Sequence, residues 1–378
     1  MLPPKTYLRL RAMFLYVLTL PSRLALKIKP YSFSKSLLPL LSYASLAKRR
    51  GDITSGGRVK LIYLSEEFPE QNNECNILYL VSSALPRHLD IWIQKAKKAR
   101  IPIVLNQNGV AYKGWFGKGW EIINEPLQSA LHSADYIFYQ SRFSQLASEK
   151  FLGKPAAKSE ILYNAVDTKL FSPVKSPKKN NDPVVLLGGN QYQWYRFESA
   201  LQSIARVKEK HPGIKLLVSG VLSWQRNKQK ARLEADVLIK KLHLENSITL
   251  LGSYTQEQAP EVYRQADVFL HTKYNDPCPT AVIEALSCGL PVVYSDSGGV
   301  KELVGDNAGI PITSQLSWEQ DIIGSPESFA NALEEAFTKR DVLSQAARQR
   351  ALTLFDITTW LDKQKTVFKM LLTERTQR

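Results

Sequence analysis

Cysteine is scarce in this chain. Cys75, Cys278 and Cys288 are the only three among 378 residues, and none stands in a CxxC pair. A disulfide scaffold is thereby excluded and a structural zinc site disfavoured. An odd number at wide spacing suits a reducing compartment. Long apolar runs are missing too. The longest in the N-terminal region, residues 12–18, falls short of the about 20 residues that a membrane-spanning helix needs. What is present excludes wholesale disorder: 44% of residues are apolar and 22% charged. At about 150 residues per domain the length holds two domains, or three.

Acidic side chains are absent from residues 1–50, which carry Lys5, Arg9, Arg11, Arg23, Lys27, Lys29, Lys35, Lys48, Arg49 and Arg50. That segment supplies +10 of the formal +15, so the body is nearly balanced. Pro21, Pro30 and Pro39 cut the arm into short pieces. A signal peptide is disfavoured, because no A-x-A cleavage pattern follows the apolar run. Nucleic acid is disfavoured, because no recognisable module is present. Two readings stay open: an amphipathic arm on an anionic membrane surface, or helices packed on the body with solvated charges. The expected location is cytoplasmic, peripheral on the inner face of the membrane if the first of these holds.

Beyond the glycine-containing stretch 51–57, short apolar runs alternate with helical stretches. Strands are expected at 59–64, 77–81, 103–105, 135–139 and 161–163, with helices such as 89–100 and 140–151. Residues 172–182 read as a linker, with two Pro, three Lys and no periodicity. The alternation then restarts, with strands at 184–187, 215–218, 248–251, 268–271 and 292–294. Helices are expected at 200–210 and 228–242, and a long last helical stretch at about 343–372. Such alternation means parallel sheets with crossover helices, here two Rossmann-like α/β domains facing across a cleft.

The densest segment is Lys273–Val304, KYNDPCPTAVIEALSCGLPVVYSDSGGVKELV. Pro277 and Pro279 fix an extended loop, and residues 280–288 form a helix stopped by Gly289 and Pro291. A helix N-terminus suits a phosphate. Asp276 precedes the helix and Glu284 lies within it, so two carboxylates can reach different parts of one polar ligand. A cap or surface role competes for Glu284, and a turn-capping role for Asp276. Gly298 and Gly299 allow close backbone approach.

This segment resembles the donor-binding signature of glycosyltransferase family 4, which has the GT-B fold. Asp276 and Glu284 with seven residues between them, then Ala285, Gly289, Pro291, Val292 and Val293, then Gly298, Gly299 and Glu302, follow the family pattern. The first acid is Asp where the family usually has Glu. Asn164-Ala165-Val166-Asp167 with Phe171 resembles the family's hinge. Leu251-Gly252, Tyr263 and Ala266-Asp267-Val268 resemble its later strands, and Gly188-Gly189 its glycine loop. The resemblance covers about residues 135–360.

It implies a retaining transfer of a sugar from a nucleotide-diphosphate donor to a glycan or lipid-linked acceptor in cell-surface polysaccharide or glycoconjugate synthesis, with no metal or other cofactor. By carry-over, Glu284 binds the ribose hydroxyls and Asp276 the donor sugar. Cys278 and Thr280 supply backbone N–H groups, since Pro277 and Pro279 have none. Asn190 stands where the family often has Arg, so Arg196 is assigned to the diphosphate, with Lys273 in reserve. Asn108 and Gly109 lie on the acceptor side, with Tyr112, Trp115 and Trp120 following. The family's His is missing there, and His88 and His132 read as structural. The glycine-rich run 114–119 reads as a flexible loop. The implied domains are 1–50 (arm), 51–173 (first domain, joined by about 355–378), 174–182 (linker) and 183–354 (donor domain).

Ser295-Asp296-Ser297-Gly298-Gly299 looks like a serine-protease sequence, but no disulfide framework or triad setting accompanies it. A catalytically weak nucleotide-sugar-binding protein is the alternative function. An isomerase or phosphorylase on the same fold is a third.

Overall fold

The computed structural model describes residues 32–34, 36–44, 46, 56–71, 74–174 and 182–377. Most of the basic arm, with the membrane expectation attached to it, lies outside the described residues. Among the described residues no helix is long and apolar enough to cross a membrane.

Two parallel sheets organise the chain. The first runs in chain order: Leu41–Ser42, Ile77–Val81, Ile103–Gln107, Tyr136–Tyr139 and Lys158–Ile161. Its three central strands are buried along their whole length, as helices on both faces demand. The second runs Ile248–Gly252, Lys215–Ser219, Val184–Leu187, Val268–His271, Val292–Ser295 and Gly309–Ile312. This is the 3-2-1-4-5-6 order of a doubly wound sheet. Its switch point, where such sheets leave a ligand crevice, falls between Val184–Leu187 and Val268–His271. The two sheets with their helices form the two Rossmann-like domains of the GT-B plan.

Several expectations are corrected. Residues 59–64 are not a strand but part of the helix Gly56–Glu67. Val59 through Leu64 are all buried, so no polar face marks the helical period. Part of the segment 1–50 belongs to the first sheet. Leu41–Ser42 is the edge strand of the first sheet, and Leu41 and Tyr43 lie in its core. The last helical stretch is two helices, Arg340–Leu354 and Ile357–Thr376. Asp356 breaks them by accepting from the Thr358 amide at 2.9 Å, as an N-cap does. The fifth strand falls at Lys158–Ile161 instead of 161–163, and Gly309–Ile312 is a sixth strand in the second sheet.

The helix Ile357–Thr376 crosses back to the first domain. Trp360, Val367, Phe368, Leu371 and Leu372 pack with Leu61, Tyr79 and Phe138. The Phe68 and Tyr79 rings meet Phe368 edge-on. Burying such a side chain stabilises by about 1.5–3 kcal/mol. The domains also grip each other across the cleft. Trp318 of the second domain sits among Tyr112, Phe143 and Phe151 of the first, stacked on Phe143 at 5.2 Å. Residues 114–119 are therefore not a free loop. Lys113–Phe116 is a helical turn, and the Gly114 amide donates to the Trp318 carbonyl at 2.8 Å.

Candidate active site at the switch point

The strand Val184–Leu187 ends in Gly188-Gly189-Asn190, and the helix Trp194–Val207 follows. The strand Val268–His271 ends in the loop carrying Lys273 and Asp276, and the helix Thr280–Ser287 follows. Pro279 is held extended at φ −68°, ψ 116°, and so starts that helix abruptly.

Asp276 is part-buried between two cationic or potentially cationic neighbours. Lys273 Nζ lies 3.1 Å and His271 Nε2 3.4 Å from its Oδ2. Burial works to raise the Asp276 pKa, but Lys273 and His271 together hold it well below the usual carboxylate range. Burial likewise works against the Lys273 ammonium, and Asp276 more than offsets it, so Lys273 stays charged. Burial dominates at His271 and lowers its pKa.

Arg196 is 3% exposed. Its Nη1 donates to the Asn190 carbonyl at 2.6 Å and its Nη2 to the Gly188 carbonyl at 3.5 Å. Its guanidinium lies 5.3 Å from the centre of the Tyr192 ring, and Lys273 Nζ lies 5.5 Å from the same centre. One aromatic ring thus joins two cations beside one carboxylate. Several polar atoms here have no hydrogen-bond partner: Arg196 Nε, His271 Nδ1, Asn275 Oδ1 and Gln191 Oε1. Buried polar atoms of this kind are costly unless a ligand satisfies them.

Glu284 sits apart from this group. Its Oε2 accepts from Tyr263 at 2.7 Å and its Oε1 from Gln256 at 3.0 Å. Burial raises its pKa. Gln256 also contacts the Tyr63 hydroxyl of the first domain at 3.5 Å.

The glycines pack the loops together. A Cβ on Gly298, where φ is +72°, would stand 2.7 Å from the Asp276 backbone, and one on Gly299 2.0 Å from the Pro277 carbonyl. The Gly299 amide donates to the Asp276 carbonyl at 2.9 Å. Gly188 backs onto the Phe269 ring, and the Gly189 carbonyl accepts from Gln191 at 2.7 Å. Cys278 is buried, its thiol pushed up to about 12 by burial, and Thr280 opens the helix.

On the first-domain side, Gly109 presses on Pro277, 3.1 Å from where its Cβ would be. Asn108 Oδ1 accepts from Gln140 at 2.6 Å and from Lys60 at 3.2 Å. Tyr112 and Trp120 are engaged with Phe151 and so are not open sugar platforms, whereas Trp115 is exposed. His132 bonds the Leu152 carbonyl at 2.8 Å, and His88 precedes a helix. Among the described residues no three His, Cys, Asp or Glu side chains gather as a metal set.

Sequence patterns alone pass over His271, Tyr192 and Lys60. In the sequence His271 is only the polar end of an apolar strand, and Lys60 only one charge inside an apolar run.

Residues 169–350 match the family model described as Glycosyl transferases group 1. Fold, family model and relatives agree on the class: the chain is an enzyme of the glycosyltransferase type, on the GT-B plan. It is 23% identical over 313 residues to the putative glycosyltransferase YtcC of Bacillus subtilis, covering 76% of this chain and 72% of that one. Over 150 residues it is 27% identical to the D-inositol 3-phosphate glycosyltransferase of Mycobacteroides abscessus, covering 39% of this chain and 31% of that one. Among solved structures, the Anabaena protein HepE in complex with UDP aligns with a TM-score of 0.65 at 20% identity, over 82% of this chain and 81% of that one. Sucrose-phosphate synthase from Thermosynechococcus elongatus aligns with a TM-score of 0.65 at 18% identity, over 79% and 74%.

Proposed function

We propose that this enzyme is a retaining glycosyltransferase of the family 4 type. It moves a sugar from a nucleotide-diphosphate donor to a glycan or lipid-linked acceptor in cell-surface polysaccharide or glycoconjugate synthesis, without a metal. The observation that carries the reading is the gathering of Lys273 and His271 around Asp276 at the switch point, with Arg196 on the Tyr192 ring that Lys273 also faces, and with polar atoms left unpaired. That HepE, which shares this fold, was solved with UDP and with UDP and glucose supports a nucleotide-sugar as the donor.

In this reading Asp276 takes the donor sugar hydroxyls. Negative charge grows on the departing diphosphate as the glycosidic bond breaks, and Lys273 and Arg196 meet it. The amides of Cys278 and Thr280 add N–H groups at the helix start. Lys273 carries more of this role, because Arg196 spends two donors on the Gly188 and Asn190 carbonyls. Glu284 accepts from the ribose hydroxyls with the lone pairs that Tyr263 and Gln256 leave. Asn108 and Gly109 border the acceptor. The basic arm, residues 1–50, attaches the enzyme to an anionic membrane surface on the cytoplasmic side.

Two observations favour the alternative of a catalytically weak binding protein: Asn190 stands where the family often has Arg, and Arg196 is partly engaged. Incubation with a panel of nucleotide sugars decides. Release of nucleoside diphosphate, reduced at least about a hundredfold in Lys273→Ala and Asp276→Asn, supports the enzyme. Tight donor binding with no release, for any donor or acceptor, supports the alternative.

A further inference from the structure

Lys60 is an expensive residue. It is 4% exposed in the helix Gly56–Glu67, close to its N-terminal end, where the helix dipole disfavours a cation. Its hydrogen-bond partners are two neutral side chains, Asn106 Oδ1 at 2.7 Å and Asn108 Oδ1 at 3.2 Å, and no carboxylate pairs with it among the described residues. Burial pushes its amine down to about 7. Packing alone is served better by a leucine at such a place.

Its partners form a directed chain. Lys60 Nζ donates to both asparagines, so both of their side-chain oxygens turn to it. Gln140 Nε2 donates to the same two oxygens, at 3.0 Å to Asn106 and 2.6 Å to Asn108. That leaves Gln140 Oε1 to accept from Asn164 Nδ2 at 3.4 Å. Asn164 Nδ2 in turn donates to the Cys278 carbonyl at 2.8 Å and approaches Thr280 Oγ1 at 3.5 Å. Turning any one of these amides over would set donor against donor or acceptor against acceptor. Asn106, Gln140 and Asn164 lie at or just beyond the C-terminal ends of three adjacent strands. The chain of bonds therefore follows the cleft edge of the first sheet and crosses into the second domain at the loop before Thr280.

We propose that Lys60 is a positioning residue that orients this row of amides and, through Asn164, holds the Cys278–Thr280 backbone in the conformation that receives the donor diphosphate. The proposal rests on the reading of residues 276–280 as the donor loop. It gives the first domain a hand in donor binding, through residues that do not touch the donor.

The test is calorimetric titration of the full-length protein with UDP, GDP and ADP. Wild type, Lys60→Met, Lys60→Arg, Asn164→Ala and the Lys60→Met/Asn164→Ala double variant are compared. Lys60→Met should weaken the best-bound nucleotide at least about fivefold, and Lys60→Arg should restore most of that loss. The double variant should bind no more than about twofold more weakly than Asn164→Ala, because both changes cut one relay. Gln140→Met interrupts the same chain and carries the test if Lys60→Met does not fold. Wild-type affinity in folded Lys60→Met or Gln140→Met, or losses that multiply in the double variant, overturns the relay alone. A wild type that binds none of the three nucleotides overturns the donor-loop reading, and the relay with it.

Discussion

Glu302 of the second domain caps a helix of the first. Its Oε2 accepts from the Arg142 amide at 2.8 Å and its Oε1 from the Phe143 amide at 2.9 Å, at the start of Arg142–Leu152. Free amides and a positive dipole end thus meet a carboxylate across the cleft. Hydrogen bonds to a charged group are worth about 1.5–3 kcal/mol each. Glu302→Ala should therefore loosen the closed form. Small-angle scattering should show a larger radius of gyration than wild type, and thermal unfolding should begin earlier. Unchanged scattering and melting would show that the cap contributes nothing to closure.

The second grip predicts a steric effect. A Cβ at Gly114 would stand 2.7 Å from the Gln320 backbone nitrogen, where nothing flexible can yield. Gly114→Ala should wedge the domains apart at the Trp318 clasp. Acceptor KM should rise several-fold while nucleotide affinity changes little. A variant with wild-type KM would place the transfer step in a conformation where these residues are already apart.

Lys60 makes a prediction about pH. Its amine titrates at about 7 in the fold and near 10.5 unfolded, with desolvation the main cause. Between those values the unfolded chain binds more protons, so stability rises with pH. The melting temperature of wild type minus that of Lys60→Met should therefore increase from pH 6.5 to pH 9.5. A constant difference would mean that the buried amine keeps its ordinary pKa.

Lys273 and Arg196 should differ in kind. Lys273 sits on Asp276, whereas Arg196 braces the Gly188–Asn190 loop. Lys273→Ala should cut donor turnover by roughly two to three decades with a small change in nucleotide affinity. Arg196→Ala should cost turnover and affinity together, because the loop loses its support. Rates of nucleotide-sugar hydrolysis, with nucleotide titrations of both variants, distinguish these outcomes.

The sequence showed the second domain well and the first less completely, for identifiable reasons. Val268–His271 and Thr280–Ser287 are short, apolar and bounded by proline, glycine or polar residues, so their limits were legible. Residues 59–64 of the helix Gly56–Glu67 are all buried, and their β-branched and aromatic side chains imitate a strand. The partners of Asp276 depend on where strand Val268–His271 ends in space, which no spacing rule gives. Trp318 and Glu302 act across the cleft on residues far away in the chain. Their contacts follow from how two finished domains meet.

Nucleotide titration of Glu284→Gln bears most directly on the central claim, that this fold holds a nucleotide-diphosphate donor at the switch point. The substitution keeps the size of the side chain and one acceptor but removes the charge that strengthens its hydrogen bonds. For whichever of UDP, GDP and ADP wild type binds best, affinity should fall by about one to two decades, with the melting temperature little changed. Undiminished affinity in a folded Glu284→Gln variant would contradict the account, and the chain would then share the fold of these transferases without their way of holding a donor.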